Sequence, residues 1–229
     1  MLMTRYHWRF ASLAAMILRA KNCQSGVAMV ELAYSLPLFM ILGLTGTELS
    51  HLAVTNMQIS QVTSSIADNL SRAKQTVALT LPQFREHDIR DAFIGSDLQA
   101  NKLQLFQNGR VIISSLQRNT SNGQWIKWQR CRGARGTVSR YGAEGTGSTG
   151  TSFLGMGPAT NRITAQPGGA VIFAEVTYTY KPLVAAPLLG PIVLRQEFAY
   201  DVRDDRDLTE VHNPIPKAAK RTCDIFTAA

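Results

Sequence analysis

Among the residues able to do chemistry, one carboxylate has the most unusual surroundings. Glu31 is the only charged residue between positions 27 and 44, an otherwise apolar run of 18 residues. Coiled as an α-helix, such a run is about 27 Å long, close to the roughly 30 Å hydrocarbon core of a bilayer. An isolated ionisable group at that depth costs about 2.5–3.5 kcal/mol on insertion scales, so its presence points to a role. A carboxylate in an apolar phase also needs a cationic partner. Before the run come Arg5, Arg9, Arg19 and Lys21, with no acidic residue among positions 1–26.

Other groupings carry less. Gly145-Thr146-Gly147-Ser148-Thr149-Gly150 matches the glycine spacing of a dinucleotide-binding turn. That chemistry requires a strand before it, a helix after it and an acidic residue about 20 positions on. Gly155, Gly157 and Pro158 make the next stretch a poor helix, and no Asp or Glu lies between Glu144 and Glu175, so the segment reads as a loop. Asp201, Asp204, Asp205, Asp207 and Glu210 cluster, yet they lack the glycine and the spaced glutamate of a calcium loop. His7, His51, His87 and His212 are far apart, and no cysteine pair has metal spacing. The sequence therefore predicts no enzyme, no cofactor and no metal site.

From 98 to 143 there is no acidic residue but there are eight basic ones, interleaved with Trp125, Trp128 and Tyr141. Lys127, Arg130, Arg132 and Arg135 are the candidate anion-binding set, suited to DNA or an anionic envelope polymer through ionic contacts and stacking. Simple strand alternation gives the preferred account: Ile126 and Trp128 buried, Lys127 and Gln129 solvated. A basic face meeting an acidic neighbouring subunit is a third reading. The chain's net charge of +8 does not decide among them. Four of those charges lie in the first 26 residues, leaving 20 basic against 16 acidic residues in the other 203.

The elements that must position these groups can be read from periodicity. Leu49, Leu52, Ile59, Val62, Ile66, Leu70, Ala73 and Val77 continue a helical rhythm beyond the apolar run, and Pro82 stops it. Pro37 and Gly43 are places for that helix to bend. A short helix is expected over 83–94. Asn108-Gly109, between Lys102–Phe106 and Arg110–Ile113, has the composition of a two-residue hairpin turn. A second turn at 120–123 leads to a strand at 125–130, and two more strands are expected at 170–180 and 192–202. Residues 132–169 read as a long exposed loop, and the tail from Asp204 as irregular. The fold class is α+β: a long N-terminal helix with an antiparallel sheet of about five strands, one face packed on the helix. Between 45 and 71 there is no Lys or Arg, while four precede the apolar run. The charge bias places residues 1–26 in the cytoplasm and the remainder beyond the membrane.

A basic leader, Gly26, four residues, Glu31 and an apolar helix together resemble the processing and assembly signal of type IV-like prepilins. Within that class the chain is similar to TadE-like minor pilins and pseudopilins of Flp (Tad) pili. Val30-Glu31-Leu32-Ala33, Pro37 and Glu48 fall where that family carries Val-Glu-aromatic-Ala, a mid-span proline and a second glutamate. Leu32 replaces the usual aromatic, and Ser64-Ser65-Ile66-Ala67-Asp68-Asn69 departs from the family's Ala/Arg-rich helix end. The resemblance covers about a fifth of the chain, residues 26–72.

The resemblance implies cleavage between Gly26 and Val27 by a prepilin peptidase, with Glu31 becoming the fifth residue of the mature chain. It implies a removed leader at 1–26, a spanning and amphipathic helix at 27–79 and a periplasmic α+β domain at 80–229. The expected setting is a bacterial inner membrane, and the expected partners are lipid, other pilins and the pilus assembly platform. Loss of the leader removes Cys23 and leaves Cys131 and Cys223 as a candidate disulfide on the oxidising side, or as two buried thiols. The rival reading is an uncleaved signal-anchor protein whose outer domain binds an anionic ligand.

Overall fold

In the computed structural model, residues 25–184 and 190–228 are described. Residues 1–24 of the leader, including Cys23, and Pro187 in the connection before the last strand lie outside them. The chain divides into two compact units at Leu49/Ser50.

In the first unit the described part is helical. Helix α1, Ser25–Arg72, starts there and runs through Pro37 and Gly43 without interruption. Thr47 donates its hydroxyl to the Gly43 carbonyl at 2.8 Å. Nearly every side chain from Gly26 to Leu44 is exposed within the chain, the large apolar ones included. Among the described residues α1 is the one helix long and apolar enough to cross a membrane, with a mean hydropathy of 1.9 over its best 18-residue window.

The second unit is built on the end of α1. Ile59, Val62, Ile66, Ala67 and Leu70 are buried, and their three- and four-residue spacing gives one apolar stripe. That stripe meets Ile172, Ala174 and Val176, which alternate along a strand. The helix ends at Arg72, earlier than the expected stop before Pro82. The buried Arg206 guanidinium donates to the carbonyls of Leu70 and Ala73 at 2.9 and 2.6 Å, capping the helix end. Gln75 and Gln83 then exchange two backbone hydrogen bonds of 2.8 Å, closing a loop that contains Pro82.

Helix α2 spans Glu86–Ala100, longer than expected at its C-terminal end. Asp88 accepts a hydrogen bond from the Arg85 backbone N–H at 2.8 Å, which fixes its first turn. The sheet has four strands among the described residues: β1 Gly109–Arg118, β2 Gln124–Arg132, β3 Val171–Tyr180 and β4 Ile192–Asp201. They are ordered β2-β1-β3-β4 and every pairing is antiparallel.

The expected fifth strand and its Asn108-Gly109 hairpin do not form. Asn101–Leu103 is a 3-10 turn and Leu105–Asn108 a turn of α-helix, joined at Gln104, whose φ is 50°. Leu105 and Phe106 are adjacent and both buried, and both belong to the same core cluster. A strand would point them to opposite faces, whereas a helical turn lets both reach one core. Phe106 meets Phe93 of α2 edge-on at 6.0 Å. The hairpin that does form joins β1 to β2 through the second turn, where the Asn119 side chain accepts from the N–H groups of Ser121 and Gly123.

Alternation in β2 is also broken. The register shifts between Ser115 and Leu116, so Ile126 and Trp128 are both buried but in different clusters. Gln129, expected to be solvated, is buried and donates to Ser114 at 2.9 Å and to the Gly142 carbonyl at 3.1 Å. The sheet is thus covered on both faces. The helices cover one face. Residues 132–169, expected as an exposed loop, cover part of the other through Phe153, Met156, Ile163 and Ala165, packed with Val171 and Phe173.

Candidate functional site

The residues with the most specific spacing lie at the start of α1. Gly26 and Val27 are helical and exposed, and among the described residues nothing lies within 4 Å of a side chain built at Gly26. Glu31 follows one turn later, also exposed, among apolar neighbours. Glu48, the second glutamate of the motif, is buried.

The basic set behaves differently. Arg130 is buried in a two-point ion pair: its Nη2 is 2.5 Å from Glu86 and its Nη1 is 3.1 Å from Glu144. A buried charge must be paired, and Glu86 in the first turn of α2 supplies the partner. Arg132 lies 4.2 Å over the Phe106 ring and donates to the Ala228 carbonyl at 3.2 Å. Burial, followed by the neighbouring Arg221, lowers its pKa. Arg135 donates to the hydroxyls of Thr137 and Thr179. Lys127 stands 5.3 Å over the Trp125 ring and is half-buried. Arg130 is therefore buried, and the half-buried Arg132 and Arg135 are bonded within the molecule, so the four do not form one free surface.

The structure joins Cys131 and Cys223 in a disulfide, with Cα atoms 4.8 Å apart and 92 residues of separation. Beside it the fully buried Arg110 donates to the carbonyls of Gly133, Ile225 and Cys223 at 2.9, 3.0 and 2.7 Å and stacks on Phe226 at 4.0 Å. Burial lowers its pKa. Gly133 has a φ of 131°, and a side chain there would meet the Gly109 carbonyl at 2.3 Å. The tail is thus fastened to the sheet by a covalent bond, by the guanidiniums of Arg110 and Arg132, and by backbone hydrogen bonds from Cys131 and Gly133.

Arg206 ends a second arrangement that local sequence did not indicate. It stacks 4.4 Å over Phe84, Phe84 stacks on Trp128 at 5.3 Å, and Arg130 lies 5.9 Å over the far ring. Desolvation lowers the Arg206 pKa to about 10.

On the other face, Glu175 of β3 is buried, accepting from the Ser139 hydroxyl at 2.6 Å and the Arg140 N–H at 3.1 Å. Burial raises its pKa. Tyr141 donates to Glu197 of β4 at 2.5 Å, and burial pushes its phenol well above the ordinary range. These acids pin the 132–169 segment to the sheet. The glycines of 145–150 serve the same end: the Ile126 N–H donates to Thr146 and the Gly145 N–H to Ile126, at 2.9 and 2.8 Å. Asp207, held down to about 2, accepts from Thr209 and pairs with His212. The acidic tail cluster thus includes a locally satisfied turn.

No family model matches the chain, and neither the curated proteins nor the solved structures contain a match to it.

Proposed function

We propose that the chain is a single-span membrane protein anchored by the first half of α1, with the disulfide-bonded unit outside the cytoplasm. Within that class, we infer a TadE-like minor pilin or pseudopilin of a Flp/Tad-type apparatus, matured by a prepilin peptidase and acting in pilus assembly. Adhesion and secretion-like export follow from the resemblance. The observation that carries the reading is the register at the start of α1. Gly26 precedes the apolar run, and one exposed carboxylate stands at the fifth position after it. A plain anchor has no need of that carboxylate, which costs insertion energy. The disulfide supports the placement of the second unit on an oxidising side.

In this mechanism Gly26 and Glu31 act in sequence. Cleavage after Gly26 creates an amino group at Val27, and that cation on one subunit is the partner for Glu31 on the next. Glu31→Gln is expected to be inserted and processed normally yet to support no pili. Normal piliation by Glu31→Gln at matched expression would remove this carboxylate from the mechanism.

A further inference from the structure

A cleft of about 680 Å³ opens between the 132–169 segment and the edge strand β4. Its volume lies within the usual range of small-ligand sites. Arg140, Arg162 and Arg195 line it, together with Tyr141, Phe153 and Glu197. Three guanidiniums thus face one carboxylate. Arg140 takes that carboxylate at 3.5 Å, and Tyr141 donates to its other oxygen. Arg162 is held by one hydrogen bond to the Gly155 carbonyl at 3.2 Å, leaving the rest of its fork unused among the described residues. Arg195 is exposed and has no acidic partner within ion-pair distance among the described residues. The buried guanidiniums of Arg110, Arg130 and Arg206, by comparison, each bond to carbonyls or carboxylates.

We propose that this cleft binds a small ligand through an oxyanion, a carboxylate or phosphate group, held between Arg162 and Arg195. Guanidinium forks suit such groups because two N–H donors match two oxygens. Phe153 and the Tyr141 ring supply the apolar wall for the rest of the ligand. A continuous nucleic-acid backbone fits poorly. Tyr141 is already edge-packed on Phe173 at 5.3 Å and so is not free for base stacking. This inference is independent of the pilin reading, since it uses only the second unit.

The test is calorimetric titration of the full chain, in non-ionic detergent, with sodium glucuronate and with inorganic phosphate. Saturable binding of either probe, weakened by salt, is expected, and the tighter probe identifies the oxyanion type. Arg162→Gln or Arg195→Gln should weaken it by about tenfold or more, the loss of one charge-assisted contact. Arg90→Gln, a surface change on α2, should leave it unaltered. Three results would overturn the proposal. These are no saturable binding of either probe, equal affinity in a folded, disulfide-intact Arg162→Gln/Arg195→Gln protein, or an equal loss in Arg90→Gln. Binding of an oligonucleotide alone, with neither small probe taken up, counts against it as well.

Discussion

The two halves of helix α1 are made of similar residues and meet opposite surroundings. Val27, Leu32, Leu38 and Ile41 are exposed within the chain, whereas Ile59, Val62, Ile66 and Leu70 are buried. The second half shows why its residues are covered: they recur at helical spacing on one side, with Asn56, Ser60 and Gln61 elsewhere. From Val27 to Leu44 the first half is apolar on every side, Glu31 and Ser35 apart. A one-sided stripe calls for a protein surface, and an all-round apolar helix calls for an apolar solvent. On the proposed reading, lipid supplies in the first half what the sheet supplies in the second. The stability of the folded unit should then depend little on residues 27–44.

The largest expected effect is on the disulfide. Closing a loop of about 100 residues contributes roughly 4.7 kcal/mol in the chain-entropy account. Reduction should lower the melting temperature of the second unit by roughly 10–20 °C, at about 2–4 °C per kcal/mol for this size. An unchanged melting curve in reductant would show that the tail contributes little. Next, Glu86→Ala should cost about 3–5 kcal/mol by leaving Arg130 buried and without its main partner. Chemical denaturation measures it, and a loss below about 1 kcal/mol, the level of a surface pair, would contradict the buried pairing.

The comparison is most direct between two alanine substitutions. Ile66→Ala should destabilise by about 2–5 kcal/mol, the cost of a core cavity. Leu38→Ala should stay within about 0.5 kcal/mol of wild type, as surface changes do. Equal losses would mean that both halves are stabilised by protein contacts and would break the distinction.

The smallest effect concerns pH. Burial raises the Glu175 pKa above its ordinary value of 4.5, so the folded state binds the proton more tightly than the unfolded chain. Its contribution to stability is full below the unfolded value and falls as pH rises through the folded one. Arg140 and Glu197, the nearby charges, modulate this in opposite directions. Glu175→Gln should flatten that part of the stability–pH profile. A profile identical to wild type would assign the slope to another group.

Much of this was legible in sequence where periodicity decides structure. The apolar run, the stripe from Ile59 to Leu70, the 120–123 turn and the alternation in Glu175–Tyr180 all describe local geometry. What escaped was non-local. Asn108-Gly109 has hairpin chemistry, but two neighbouring buried side chains, Leu105 and Phe106, impose a helical turn instead. The basic run from Lys102 to Arg140 resembled a surface because the partners of its cations, Glu86, Ala228 and Thr179, lie tens of residues away. The Arg206 cap on α1 joins residues more than 130 positions apart, so nothing near Arg72 announces where the helix ends.

The central claim is that Gly26-Val27 is a processing site placed one turn before a functional carboxylate. It is tested most directly by determining the N-terminus of the membrane-extracted protein by mass spectrometry, in cells containing a prepilin peptidase and in cells lacking one. The expected result is a chain beginning at Val27 in the first case and the uncleaved leader in the second, with Gly26→Leu uncleaved in both. An intact leader in peptidase-containing cells would contradict the claim and leave the chain as a signal-anchored protein.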